Sequence, residues 1–315
     1  MASRHPRRAL IAVAAPLAVA SLALSACGSN SPSGSSAPGG STAPAAPSSA
    51  SSGGASPSGS LAALVPASVK ADGKIVVGSD STYAPNEFID TDGKTVIGMD
   101  VDLGKAIGQQ LGLQVEFVSA PFDAILPGLA SGKYEMGMSS FTVNPDREKT
   151  ALMITYFNAG TSWAVQKGNP DNITPDTACG KKVAVQKATV QVDDVTKRSK
   201  TCTDAGKPAI TIDQYAAQTD ATTAVVTGKD SAMLADSPVV AYAIKQTGDK
   251  LETTGQIYDA APYGIAVPKD ETGFADALQK AVQAIIDNGE YQKILQKWGT
   301  ESGAIKTSEI NPKVS

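Results

Sequence analysis

The sequence predicts an α/β fold across about residues 72–300, on three observations. Apolar runs of strand length alternate with stretches of helical spacing, over a length that suits two α/β domains of ordinary size. Two amphipathic helical patterns close the region. No run within it approaches the roughly twenty apolar residues of a membrane-spanning helix.

Taken in order, Ile75–Val77 is a short apolar strand, and Asp92-Gly93 marks a turn before Thr95–Ile97. Val101, Leu103, Ala106, Ile107 and Leu111 follow helical spacing, with Gly112 placed as the C-cap. Leu113–Phe117 (LQVEF) alternates as a half-buried strand does. Phe122–Ala130 reads as a helix closed by Ser131-Gly132, and Tyr134–Met138 returns to strand. The same rhythm continues at 182–185, 190–198, 209–212, 216–227, 231–235 and 239–246. Phe274, Leu278, Val282 and Ile285 stripe one helix, which Asn288-Gly289 ends. Tyr291, Ile294, Leu295 and Trp298 stripe the last. Those stripes are core.

The N-terminal segment has another character. Basic residues at Arg4, Arg7 and Arg8 precede an uncharged apolar run, Ala9–Ala23, too short to span a bilayer; this is a secretory signal pattern over residues 1–26. Leu24-Ser25-Ala26-Cys27 resembles the lipobox of bacterial lipoproteins, in which the cysteine is acylated and becomes the N-terminus. Residues 28–60 hold 13 Ser, 7 Gly, 5 Pro and 6 Ala, with no charge and no large apolar side chain. Such a chain cannot offset its ordering entropy, so 27–71 is expected to be a lipidated tether and 301–315 a C-terminal tail.

Charge and composition exclude several functions. The net charge is −4, and the only histidine, His5, lies in the signal segment. Without imidazole, Ser-His-Asp or Cys-His nucleophiles and His-ligated metal sites are ruled out for the mature chain. Net negative charge without a basic block argues against nucleic acid. No metal and no cofactor is expected. Cys179 and Cys202 are the remaining thiols, and an even pair in an exported chain predicts a disulfide.

Seven collinear stretches carry a resemblance. They are Val77–Phe88, Gly98–Leu103, Phe122–Leu129, Ser131–Tyr134, Ser139–Arg147, Leu234–Pro238 and Tyr263–Lys269. Together they resemble the extracytoplasmic solute-binding proteins of ABC importers, in the family (family 3) that binds polar amino acids. The resemblance implies a two-lobed periplasmic-binding-protein-like fold (type II) with two crossover segments and a ligand cleft between lobes. It puts lobe 1 at 72–162 plus 259–300 and lobe 2 at 163–258, with crossovers in Trp163–Gln166 and Ile257–Tyr263. Both cysteines then fall in lobe 2.

A zwitterionic ligand needs a cation for its carboxylate and an anion for its ammonium. Arg147 suits the first because guanidinium meets carboxylate in a two-bond fork. Spacing alone leaves a surface salt bridge with Asp146 or Glu148 equally open; the resemblance assigns Arg147 to the ligand. Asp236 ends an apolar strand, where α/β folds bind ligands, although it could equally cap the following helix. By resemblance it takes the ammonium. Ser139, Ser140 and Thr142 correspond to family contacts with both ends of the ligand. Thr189 and Val190 correspond to a loop that offers backbone N–H groups to the carboxylate. In that loop Ala188 stands where the family usually has Gly, and Lys187 reads as a solvated charge. Asp80, Tyr83 and Phe122 line the side-chain end, and Asn86 departs from the family in a way that would reshape the pocket.

The resulting expectation is a binding protein, not an enzyme: a monomer held on the extracytoplasmic face of the cell membrane through lipid on Cys27. It would pass a polar amino acid or close derivative to a membrane ABC permease. The alternative is a dehydratase-like periplasmic enzyme on the same fold, in which only Asp80, Glu87, Lys187 or Asp236 could serve as acid or base.

Overall fold

The strand-like stretches form an eight-stranded mixed sheet with helices on both faces, in a computed structural model that describes residues 61–71 and 73–314. The signal segment, Cys27 and the tether at 28–60 lie outside the described residues.

In chain order the elements are α1 (Ala67–Lys70), β1 (Lys74–Ser79), β2 (Thr82–Tyr83), β3 (Glu87–Ile89), β4 (Val96–Ile97), α2 (Met99–Leu111) and β5 (Gln114–Ser119). Then come α3 (Phe122–Ala130), β6 (Met136–Gly137), α4 (Pro145–Thr150), β7 (Ala151–Gln166), β8 (Lys182–Gln186), α5 (Val190–Asp204) and β9 (Thr211–Tyr215). The chain ends with α6 (Gln218–Val226), β10 (Ala232–Asp236), α7 (Ser237–Gln246), β11 (Leu251–Pro268), α8 (Thr272–Asp287) and α9 (Glu290–Trp298).

The sheet runs β5-β1-β6-β11-β7-β10-β8-β9. A parallel group, β5-β1-β6, meets the C-terminal end of β11, and a second, β10-β8-β9, meets the C-terminal end of β7. Between them β7 and β11 form a long antiparallel pair whose register breaks between Thr254 and Ala261. This irregular stretch faces Ala159–Trp163. A small sheet, β2-β3-β4, flanks the first group.

Each half has its own core, as a sheet covered on both faces requires. In one, Ile75, Val77, Leu103, Ile107 and the α8 stripe of Phe274, Leu278, Val282 and Ile285 pack together, with Ile125, Leu129 and Phe141 on the opposite face. In the other, Val183, Val185, Val195 and Leu234 pack on Trp163, and Val225, Met233 and Val240 form the second layer. The disulfide Cys179–Cys202 is formed inside this second half, tying α5 to the loop ahead of β8.

Both predicted ends need correction. Residues 61–71, expected as tether, carry a short 3-10 turn and α1, and bury Val65 and Val69 in the first core. The expected C-terminal tail packs on β7: Ile310 bridges Ile154, Asn311 accepts the Met153 N–H at 2.7 Å, and Ser308 Oγ donates to the Thr155 carbonyl at 2.7 Å. Apolar residues spaced too irregularly for a helix or strand, Val65 and Ile310, make these contacts. Interior strand limits also shift, since Tyr134–Met138 yields only a two-residue β6 and the strand expected at 209–212 begins at Thr211.

Candidate functional site

Strand ends supply the first components. Asp80 follows β1, Gln186 ends β8 and Asp236 ends β10, where the backbone stops pairing and side chains turn into the gap between the halves. Arg147 enters from α4, whose first turn is fixed by Asn144 Oδ1 accepting the Arg147 N–H at 2.9 Å. All ten residues expected at a ligand site (Asp80, Tyr83, Phe122, Ser139, Ser140, Thr142, Arg147, Thr189, Val190 and Asp236) line one narrow cavity. Gln186 and Gln191 complete it.

The Arg147 side chain is only 9% exposed. Its guanidinium lies 5.4 Å from the Phe122 ring centre and 5.3 Å from Phe141, and donates to the carbonyls of Thr142 (2.7 Å) and Ala188 (3.1 Å). Among the described residues no carboxylate forms an ion pair with it, and Asp146 pairs with Lys149 instead. The surface salt-bridge alternative is therefore excluded. Burial pulls Arg147 down to about 10, opposed by the negative charge of Asp236. A desolvated cation held by neutral carbonyls is a site built for an anion.

Asp236 precedes α7 but caps nothing with its side chain. Its Oδ2 accepts Tyr263 OH at 2.7 Å and Tyr83 OH at 2.9 Å, and its Oδ1 accepts Gln191 Nε2 at 2.8 Å. Burial raises the Asp236 carboxyl, against these three donors and Arg147, which favour its charge. Arg147 and Asp236 thus set opposite charges in one nearly dry cavity, each lacking a full ionic partner.

Asp80 is more fully engaged than its sequence position foretold. Its Oδ1 accepts Thr82 N–H (3.0 Å) and Thr82 Oγ1 (2.6 Å), and its Oδ2 accepts Phe122 N–H and Gln186 Nε2, both at 2.9 Å. Burial still raises its carboxyl. The Gln186 bond comes from the opposite half of the sheet, so Asp80 reaches a basic ligand side chain only by exchanging that partner.

On the far wall, Ala188 adopts φ +61° and Thr189 Oγ1 donates to the Gln186 carbonyl at 2.8 Å. The loop thus keeps a left-handed residue where Ala, not Gly, must bear it. It delivers the chain into α5, whose first-turn N–H groups lack intrahelical partners and carry the positive end of the helix dipole. Lys187 is exposed, as a solvated charge would be. Asn86 does not line the cavity. It is fully buried and donates to Ser140 Oγ at 2.9 Å, supporting the pocket from behind.

Sequence reasoning missed four participants. Gln186 stands at a strand end and was legible by the rule that picked Asp236. Tyr263 lay within a motif stretch and Gln191 directly after the Thr189–Val190 loop, but neither was given a role. The Glu87–Asp100 pair, behind Ser139 and Ser140, was not foreseen: both residues lay in motif stretches, and Glu87 was named only as an acid or base of the enzyme alternative, because nothing local shows that two carboxyl groups 13 residues apart are buried together.

Comparison with known proteins agrees with this geometry. The sequence matches the bacterial extracellular solute-binding proteins, family 3, over residues 75–301. An arginine-binding protein of Corynebacterium glutamicum is 38% identical over 238 residues, covering 75% of this chain and 78% of that one. An ancestral arginine-binding protein solved with arginine bound superposes with a TM-score of 0.67 at 33% identity, over 72% of this chain and 98% of that one. An ancestral amino-acid-binding protein, a precursor of cyclohexadienyl dehydratase, superposes with a TM-score of 0.64 at 31% identity, over 73% and 97%. With two lobes, a cavity between them and this match, the chain belongs to the bacterial extracellular solute-binding proteins, family 3.

Proposed function

We propose that the protein captures a cationic amino acid, L-arginine foremost, and hands it to an ABC importer. The observation that carries this reading is the pairing of a buried, carboxylate-free Arg147 with a buried Asp236 across one cavity. The α-carboxylate of the ligand meets the Arg147 fork and the first turn of α5. The α-ammonium meets Asp236, with the Ser139, Ser140 and Thr142 turn beside it. The side chain runs toward Asp80, Tyr83 and Phe122, where an acid and two aromatic faces suit a guanidinium. The names of the arginine-binding relatives favour the same ligand.

Lobe 1 is assigned to 72–162 and 259–300 with the packed ends added, and lobe 2 to 163–258. Because Arg147 and Asp236 lie on different lobes, one zwitterion touching both favours the closed arrangement, through its higher affinity for that state. Lipidated Cys27 and the low-complexity segment after it would hold a monomeric body near the permease on the extracytoplasmic face. Two acyl chains give durable anchoring where one does not.

The dehydratase-like alternative has less support. Asp80 and Asp236 are engaged by four and three donors respectively, which suits holding charge more than exchanging protons.

Isothermal titration calorimetry against the twenty amino acids decides the ligand. L-arginine should bind with the highest affinity; heat from an acidic or aliphatic amino acid alone would overturn the assignment.

A further inference from the structure

Behind the cavity sit two carboxyl groups that the binding scheme does not use. Glu87 on β3 and Asp100 in the first turn of α2 are both 0% exposed. Both meet at Ser140, which donates to each of them, and among the described residues neither forms an ion pair with any lysine or arginine. The groups that face them are Asp80 after β1, Tyr83 on β2 and Tyr156 on β7, all neutral or negative. Gly98 makes the approach possible: a Cβ there would sit 2.0 Å from the Asn86 carbonyl oxygen, so only glycine lets α2 start against the β3 turn.

The pair holds the binding turn from below. Ser139 Oγ donates to Glu87 Oε1 at 3.1 Å and Ser140 Oγ to Glu87 Oε2 at 3.3 Å. The Ser140 N–H donates to Asp100 Oδ2 at 3.1 Å, alongside Tyr156 OH at 2.6 Å. Ser140 itself adopts φ +52°, which a non-glycine residue holds only when its surroundings over-determine it. Asp100 Oδ1 is buried with no N–H or O–H of another group to accept, so a hydrogen on Glu87 is the donor it lacks.

We propose that Glu87 and Asp100 hold one proton between them, and that this pair is the positioning device that fixes the Ser139–Ser140 turn at the ligand cavity. Two adjacent buried carboxylates without a cation do not both ionise. Burial, then the charge of Asp100, push Glu87 well above the usual carboxylate range. Burial pushes Asp100 up to about 6, opposed by hydrogen bonds from Tyr156, Glu87 and Ser140. Glu87 is thus the acid and Asp100 the base, and both are positioning residues.

The test has a ligand-free part and a binding part. An unfolded chain releases the Glu87 proton near the ordinary glutamate value, whereas the folded protein keeps it, so this group costs stability as pH rises above that value. E87Q removes that cost. Its melting temperature relative to wild type should climb by about 3 °C or more per pH unit as the pH rises above the ordinary glutamate range. The Ser140 amide, followed by NMR against pH, should move with two steps in wild type and one in E87Q. A melting difference that stays flat with pH, or identical Ser140 titrations, overturns the shared proton.

The binding part rests on the ligand reading above and uses L-arginine as probe. E87Q, which keeps a neutral donor, should bind within about threefold of wild type, and E87A at least tenfold more weakly. Equal losses in both overturn the positioning role. Absence of binding by the wild type counts against the ligand assignment, while the melting and NMR results still decide the pair.

Discussion

At the scale of single residues, desolvated charge governs the site. Arg147 and Asp236 each sit where burial opposes ionisation and the other charge favours it. Truncating one partner of such a buried pair costs about 2–5 kcal/mol, so Arg147→Ala and Asp236→Ala should each weaken arginine binding about thirtyfold or more by calorimetry. Arg147→Lys should lose most of that too, because an ammonium cannot form the fork. The two truncations differ in stability. Asp236→Ala strands the hydroxyls of Tyr83 and Tyr263 and the Gln191 amide, a cost of about 1–3 kcal/mol that lowers the ligand-free melting temperature. Ala188 allows a prediction of opposite sign. Its φ of +61° burdens a β-carbon, so Ala188→Gly should stabilise the protein by up to about 1 kcal/mol in urea denaturation without altering the cavity lining.

At the scale of elements, the second half depends on a covalent tie. Cys179 and Cys202 are 23 residues apart, and closing such a loop contributes about 3 kcal/mol on the chain-entropy model. The bridge secures α5, whose N-terminal turn forms one wall of the cavity. The Cys179→Ser/Cys202→Ser double variant should therefore melt several degrees lower than the oxidised wild type by calorimetry. Its arginine affinity should fall less than its stability, because Val192 and Val195 keep α5 seated in the apolar core and the first turn does not touch the bridge.

At the scale of the whole molecule, the long β7–β11 pair carries the chain between two separately cored halves, and its register breaks in the middle. The cavity residues come from both sides of that stretch, so on the proposed lobe assignment ligand affinity and closure are one equilibrium. The proposed lipid anchor at Cys27 makes a prediction at this scale. Cys27→Ser should shift the protein from the membrane fraction to the soluble one, read by fractionation and immunoblot, with arginine affinity unchanged.

The α/β class and most of the element order were legible in the sequence because strand alternation and helical stripes are local patterns, whereas the ten cavity residues were legible through the family resemblance. Arg147 and Asp236 stand at element ends there, and the resemblance, not spacing, chose ligand roles for them over a surface salt bridge and a helix cap. Tertiary structure alone decided the surroundings: that among the described residues Arg147 pairs with no carboxylate, that Asp80 is taken by Thr82, Phe122 and Gln186, and that Glu87 and Asp100 meet at Ser140. It also decided that Val65 and Ile310 belong to the body and not to loose ends. The physical reason is common to all of these. Burial and ionisation depend on what approaches a group through space, and partners as distant as Gln186, 106 residues from Asp80, leave no mark on the local pattern.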